Sequence, residues 1–156
     1  MKTEEDFLRR AIEMAIKGIS EGGGPFGAVI AKDGQIISEA GNRVVLSHDP
    51  TAHAEILAIR GACETLQSHN LSGCVIYASC EPCPMCLGAI YWSGITRIVY
   101  ALDRFDAENA GFNDNLIYKE MQLSPSDRKL KFIHLPVAGS NKVFRAWKET
   151  ENKIGY

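Results

Sequence analysis

The chain has 156 residues, of which 46% are apolar and 23% charged, with a formal net charge of −2. That length and apolar share suit one domain over 1–156 with a buried core, and the even charge balance lacks the basic footprint of tight phosphate-backbone binding, so nucleic acid is a disfavoured partner. The charged start, Met1-Lys2-Thr3-Glu4-Glu5-Asp6, lacks the apolar run expected of a signal peptide, no later run is long enough to span a bilayer, and five cysteines fit a reducing, cytoplasmic setting better than a disulfide scaffold.

In chain order, Phe7, Leu8, Ala11, Ile12, Ala15, Ile16 and Ile19 recur at intervals of three and four and predict an amphipathic helix with an acidic start at Lys2 to Asp6. Gly22-Gly23-Gly24-Pro25 ends it. No Lys-Ser/Thr follows these glycines and a strand comes next, so they do not read as a phosphate loop. Phe26 to Ala31 and Gln35 to Ala40 are β-leaning runs around Lys32-Asp33-Gly34, a hairpin signal, and Gly41-Asn42 opens a loop. Asp49-Pro50-Thr51 starts a second helix, expected from about Thr51 to Leu66.

Cys74 to Ala78 reads as a strand, Pro84 to Trp92 as a helix and Ile95 to Ala101 as a further strand. Short helices are expected over Asp103 to Ala110 and Asn115 to Met121, a turn at Ser124 to Asp127, a short strand at Lys131 to Leu135 and a terminal helix over Lys142 to Asn152. This alternation predicts a three-layer α/β arrangement with parallel strands in its second half, and ligands in such sheets gather at the carboxyl ends of strands.

Two stretches carry chemistry. Thr51-Ala52-His53-Ala54-Glu55 and Cys80-Glu81-Pro82-Cys83-Pro84-Met85-Cys86 together offer one imidazole and a pair of thiolates three apart, a donor set that suits Zn²⁺. With Cys83 at an N-cap and Pro84 at the first helical position, Cys83 and Cys86 share a helix face and both thiolates gain from the helix dipole. Three protein ligands, His53, Cys83 and Cys86, leave a fourth position for a water whose pKa zinc lowers from about 15.7 toward roughly 7. Glu55 is then the general acid/base, held beside that water and off the metal. Residues two apart diverge on a regular helix, so the metal is expected beyond the helix end.

Other readings of the same residues are a redox dithiol at Cys83 and Cys86, three-quarters of an iron–sulfur motif, and a closed structural site with Cys80 as fourth ligand. Only the open zinc site uses Glu55. Cys80 then packs at a strand end, Cys63 and Cys74 are core cysteines, and His48, His69 and His134 have no partner pattern.

H-x-E followed by P-C-x-x-C is the signature of zinc nucleobase deaminases. With Gly24 to Ile30, Asn42, the Ala89-Ile90-Tyr91-Trp92 run, Ala110-Gly111-Phe112-Asn113-Asp114 and a terminal Tyr156, the chain resembles the cytidine-deaminase-fold superfamily, most of all its bacterial guanine deaminases. The resemblance implies a five-stranded mixed sheet flanked by helices, a homodimer, and conversion of guanine to xanthine and ammonia, zinc-held hydroxide attacking C2 with Glu55 moving the protons. It also implies Asp114 as a second carboxylate at the leaving amino group, and Phe26, Asn42, Ala54, Trp92 and Tyr156 as substrate contacts. The segment after Leu135 is expected to close over a pocket, its own or a neighbouring subunit's, with Pro136 to Ser140 as hinge. The rival functions are tRNA adenosine deamination, cytosine deamination and a non-catalytic zinc module. Near the C-terminus Lys142, Arg145, Lys148 and Lys153 alternate with Glu149 and Glu151, which does not favour RNA.

Overall fold

A computed structural model describes residues 2–156. Residues up to Asp114 form one compact unit and Asn115–Tyr156 a second. In the first, helix α1 (Glu4–Ser20) starts at a capping box in which Thr3 and Asp6 satisfy each other's backbone N–H groups. Strands β1 (Gly27–Lys32) and β2 (Gln35–Gly41) form the expected hairpin, and Asp33 and Gly34 at its tip take the positive φ values, 49° and 77°, that a two-residue turn of this hand requires. A short helix α2 (Val44–Ser47) follows where a plain loop was expected. Then come α3 (Ala54–Leu66), β3 (Val75–Cys80), α4 (Pro84–Trp92), β4 (Ile98–Leu102) and α5 (Arg104–Asn109).

The sheet order is β2-β1-β3-β4, with β1 antiparallel to both neighbours and β3 parallel to β4 through the α4 crossover. Side chains alternate across β1 with the strand period of two. Ala28 and Ile30 pack with Ala54, Ala58, Ala62 and Ile90 of α3 and α4, while Val29 and Ala31 pack with Phe7 and Ala11 of α1. Helices therefore cover both faces, the three-layer arrangement the sequence predicts, and β1 is buried from Gly27 to Ala31.

Two expectations are corrected. Ile12, Ile16 and Ile19 do not face the sheet: the buried stripe of α1 is Phe7, Ala11, Ala15 and Gly18. The helix crosses the hairpin too closely for branched side chains, since a Cβ on Gly27 would overlap the Ala11 carbonyl oxygen and lie 2.6 Å from the Ala15 nitrogen. Gly27→Ala is accordingly expected to lower stability by about 3 kcal/mol, read as a fall in the urea midpoint at unchanged m-value. The sheet, moreover, has four strands where five were expected. Lys131 to Leu135, expected as a short strand, pairs with no other among the described residues, and an apolar run without a hydrogen-bonded neighbour does not make a strand.

The second unit holds α6 (Asn115–Met121), a 3₁₀ turn at Pro125–Asp127 and α7 (Lys142–Glu149). Arg128 closes its first loop, donating from Nε to the carbonyls of Glu120 and Leu123 at 2.9 and 3.2 Å. Every residue from Lys129 to Tyr156 is exposed. Among the described residues no helix is long and apolar enough to cross a membrane.

Candidate active site

Two helix N-termini build the site. Asp49 accepts from the backbone N–H and hydroxyl of Thr51 at 2.8 and 2.7 Å, and this turn delays α3 until Ala54, three residues later than expected. His53 is thereby left at the N-cap in extended conformation (φ −68°, ψ 152°), with Glu55 inside the first turn. The two side chains can face one point because one of them stands outside the helix, which resolves the tension in their spacing. On α4 the N-cap is Cys83 (φ −66°, ψ 169°), with Pro84 just inside and Cys86 on the first turn.

His53 Nδ1 lies 3.5 Å from the sulfurs of both Cys83 and Cys86. These three donors lie within 4.8 Å of one another. A tetrahedral zinc with Zn–S of about 2.3 Å and Zn–N of about 2.0 Å requires an N···S edge of about 3.5 Å, which both His53–cysteine distances match. Cys80 is not in this cluster. Its thiol donates to the Asp103 carbonyl oxygen at 3.3 Å, and burial pushes its pKa up to about 11. A closed site with Cys80 as fourth ligand is therefore not what the side chains form.

Electrostatics point the same way. Cys83 is held below the ordinary thiol range chiefly by the hydrogen bond from Cys86, and Cys86 retains its proton for the same reason. The Cys83 partner in turn raises His53. A metal replaces the protons that this cluster shares. Glu55 is 6% exposed, and its Oε2 is a buried side-chain atom without a hydrogen-bond partner. Burial, then the neighbouring Cys83, raises its pKa, so this carboxylate is kept poised to take up a proton. An orphaned acceptor of this kind beside a three-donor cluster has a ready partner in a water on the metal's fourth side.

Above the cluster is a pocket of about 550 Å³, in the range of small-molecule sites. Phe26, Asn42, His53, Glu55, Cys83 and Asp114 all line it. Asn42 is buried, and its Oδ1 accepts from the N–H groups of Val44 and Gly24 at 3.1 and 3.4 Å. Asp114 is partly buried, and burial raises its pKa with a further push from Cys83. Ala54 is fully buried at the first turn of α3. Trp92 is 70% exposed at the end of α4 and is not among the lining residues, and Tyr156 is exposed in the second unit. Of the residues that sequence reasoning gave no role, Phe112 stands edge-on to Phe26 with ring centroids 4.9 Å apart, and Gly23 packs so closely that a Cβ would overlap the Asn42 carbonyl oxygen. Three consecutive glycines were the available signal for the second; they read only as a helix end.

Residues 1–102 match the family model described as the cytidine and deoxycytidylate deaminase zinc-binding region. The chain is 49% identical to the guanine deaminase of Bacillus subtilis over 153 residues, 97% of this chain and 98% of that one. It is 45% identical to the tRNA-specific adenosine deaminase of Aquifex aeolicus over 102 residues, 65% of this chain and 68% of that one. Among solved structures, a guanine deaminase from Bacillus subtilis superposes with a TM-score of 0.97 at 48% identity, covering 99% of each chain. One from Nitrosomonas europaea superposes at 0.70 with 36% identity, covering 73% of this chain and 66% of that one.

Proposed function

The chain belongs to the cytidine and deoxycytidylate deaminase zinc-binding family, and from that premise we propose that it hydrolyses guanine to xanthine and ammonia. The observation that carries the chemistry is the unpartnered Glu55 Oε2 beside the His53, Cys83 and Cys86 donors at the foot of the pocket. What favours guanine over a tRNA base is that similarity to the guanine deaminase continues past β4 through Asp114 and the second unit, where the family model has ended.

His53, Cys83 and Cys86 hold the zinc, which when bound supplies the Lewis acidity that makes water nucleophilic near neutral pH. Glu55 accepts a proton at Oε2 from the attacking water and passes it to a ring nitrogen; it then takes the remaining proton from the hydroxyl now on C2, as that oxygen becomes a carbonyl, and delivers it to the amino group as its bond to C2 breaks, because an amide anion is too basic to depart. Burial tunes it for both directions by bringing its pKa up toward the working pH. Asp114 holds the departing amino group. The Asn42 amide nitrogen donates to an acceptor on the base edge, the first-turn N–H groups of α3 at Ala54, which have no intrahelical acceptor, offer further donors, and Phe26 forms an apolar wall.

The protein acts as one deaminase domain and as a homodimer in the cytoplasm. Tyr91 and Trp92 on α4 and Leu130, Phe132, Ile133 and Leu135 in the second unit leave large apolar areas exposed, which a second copy would cover, and all five cysteines are free. In that dimer Trp92 and Tyr156 complete a pocket, the segment after Leu135 closing over it. A chain ending before Val143 is expected to lose most of its kcat/KM on guanine; full retention would remove the closing role.

The substrate assignment is tested by ammonia release from guanine, guanosine, adenine, cytosine and a tRNA anticodon stem-loop. Guanine is expected to lead the series. Faster release from the stem-loop or from cytosine would replace it with the corresponding rival.

A further inference from the structure

We infer that Glu81 is a positioning residue that holds α5, and through it Asp114, in place over the metal site. The inference rests on the deaminase reading above and on Asp114's part in it.

Glu81 lies between the end of β3 and Pro82-Cys83. Its N–H donates to the Leu102 carbonyl at 2.8 Å, its Oε2 accepts from the Arg104 N–H at 3.2 Å, and the neighbouring Cys80 thiol donates to the Asp103 carbonyl at 3.3 Å. Three consecutive residues of the β4–α5 turn are thus tied to the two that precede the cysteine loop. A helix of six residues is marginal alone, and α5 depends on such ties.

The first N–H groups of a helix have no acceptor within it. In α5 the Asp103 carboxylate takes those of Phe105 and Asp106 at 2.9 and 3.0 Å, and Glu81 takes the remaining one, Arg104. The Asp103 carboxylate caps only its own helix and does not fix it against another element. Glu81 does, because it sits on the segment that delivers Cys83. Beyond α5, Gly111 (φ 94°) turns the chain so that Phe112 meets Phe26 and Asp114 reaches the pocket. Of the ties between the cysteine loop and this segment, the Glu81 carboxylate is the one that reaches the first N–H of α5 itself.

The test compares Glu81→Ala, Glu81→Gln, Asp114→Asn and the Glu81→Ala/Asp114→Asn double variant in the full chain, with zinc content measured for each. Glu81→Ala is expected to lower kcat on guanine about 10- to 100-fold, the scale of a misplaced catalytic group, with zinc retained. Glu81→Gln keeps an acceptor for the Arg104 N–H and is expected to recover to within about threefold of wild type, while Glu81→Ala adds less than about threefold to Asp114→Asn. Amides 104–110 are expected to exchange faster in Glu81→Ala and at the wild-type rate in Glu81→Gln. The inference is overturned if Glu81→Gln is as impaired as Glu81→Ala, if the two losses multiply in the double variant, if Glu81→Ala loses its zinc, or if exchange is unchanged. Absence of guanine turnover in the wild type would instead remove the substrate assignment, and the exchange comparison would still decide the role of Glu81.

Discussion

Glu55→Gln is expected to cut kcat/KM on guanine by about 10³- to 10⁴-fold, the upper part of the range for a general acid/base, because one group serves more than one proton transfer. Glutamine fills the same buried space at the start of α3 but cannot cycle a proton. Zinc content is expected to stay at the wild-type level, since His53, Cys83 and Cys86 are untouched. The same variant separates catalysis from stability. In the metal-free protein the folded pKa of Glu55 lies above its unfolded value, so folding takes up a proton once the unfolded carboxyl has ionised. Stability therefore falls as pH rises above the ordinary carboxyl value of about 4.5 and levels off beyond the folded pKa. Metal-free Glu55→Gln is expected to lack this fall and to melt higher than the metal-free parent at neutral pH. An equal fall in both proteins would show that the Glu55 carboxyl is not its source.

Removing the metal is the second large change. Dialysis against a strong chelator is expected to abolish turnover, and one equivalent of Zn²⁺ to restore it, because no other group among the described pocket residues can activate water in the same way. The melting temperature should fall with it: a ligand present at a thousand times its Kd stabilises the fold by about 4 kcal/mol. The pH dependence has a definite sign. Cys86 and His53 both hold protons more tightly in the metal-free fold than they would alone, and both must release them to bind zinc. Zinc affinity is therefore expected to weaken as pH falls, with proton release measurable by calorimetry in buffers of different ionisation enthalpy. For the metal-free chain the His53 contribution runs the other way. Its raised pKa gives stability that is full below the unfolded value of about 6.5 and is lost as pH rises through the folded one.

How much of this was legible in the sequence depends on distance along the chain. The metal donors were readable because each half of the site is local: His53 with Glu55, and Cys83 with Cys86, lie at helix starts announced by Asp49-Pro50 and by Pro84. The hairpin, the α4 crossover and the covering of both sheet faces followed from periodicity and turn chemistry in the same way. What failed depended on residues far apart. Isoleucines on α1 match the helical period as well as Phe7 and Ala11 do, and only the close approach of Gly27 decides which side faces the sheet. Lys131 to Leu135 is a short apolar run with a β-branched residue, but a strand is made by its neighbour. The direction of the Asn42 amide depends on backbone donors at Gly24 and Val44, and the tie from Glu81 to Arg104 spans 23 positions that no motif connects.

Hydrolysis at this site requires one corner of the metal to stay open to solvent. X-ray absorption at the zinc edge of the reconstituted protein measures this directly. Two sulfur scatterers at about 2.3 Å with two lighter ones at about 2.0 Å, one of them exchangeable, are expected from His53, Cys83, Cys86 and a water. A third sulfur in that shell, such as the Cys80 thiolate would supply, would contradict it.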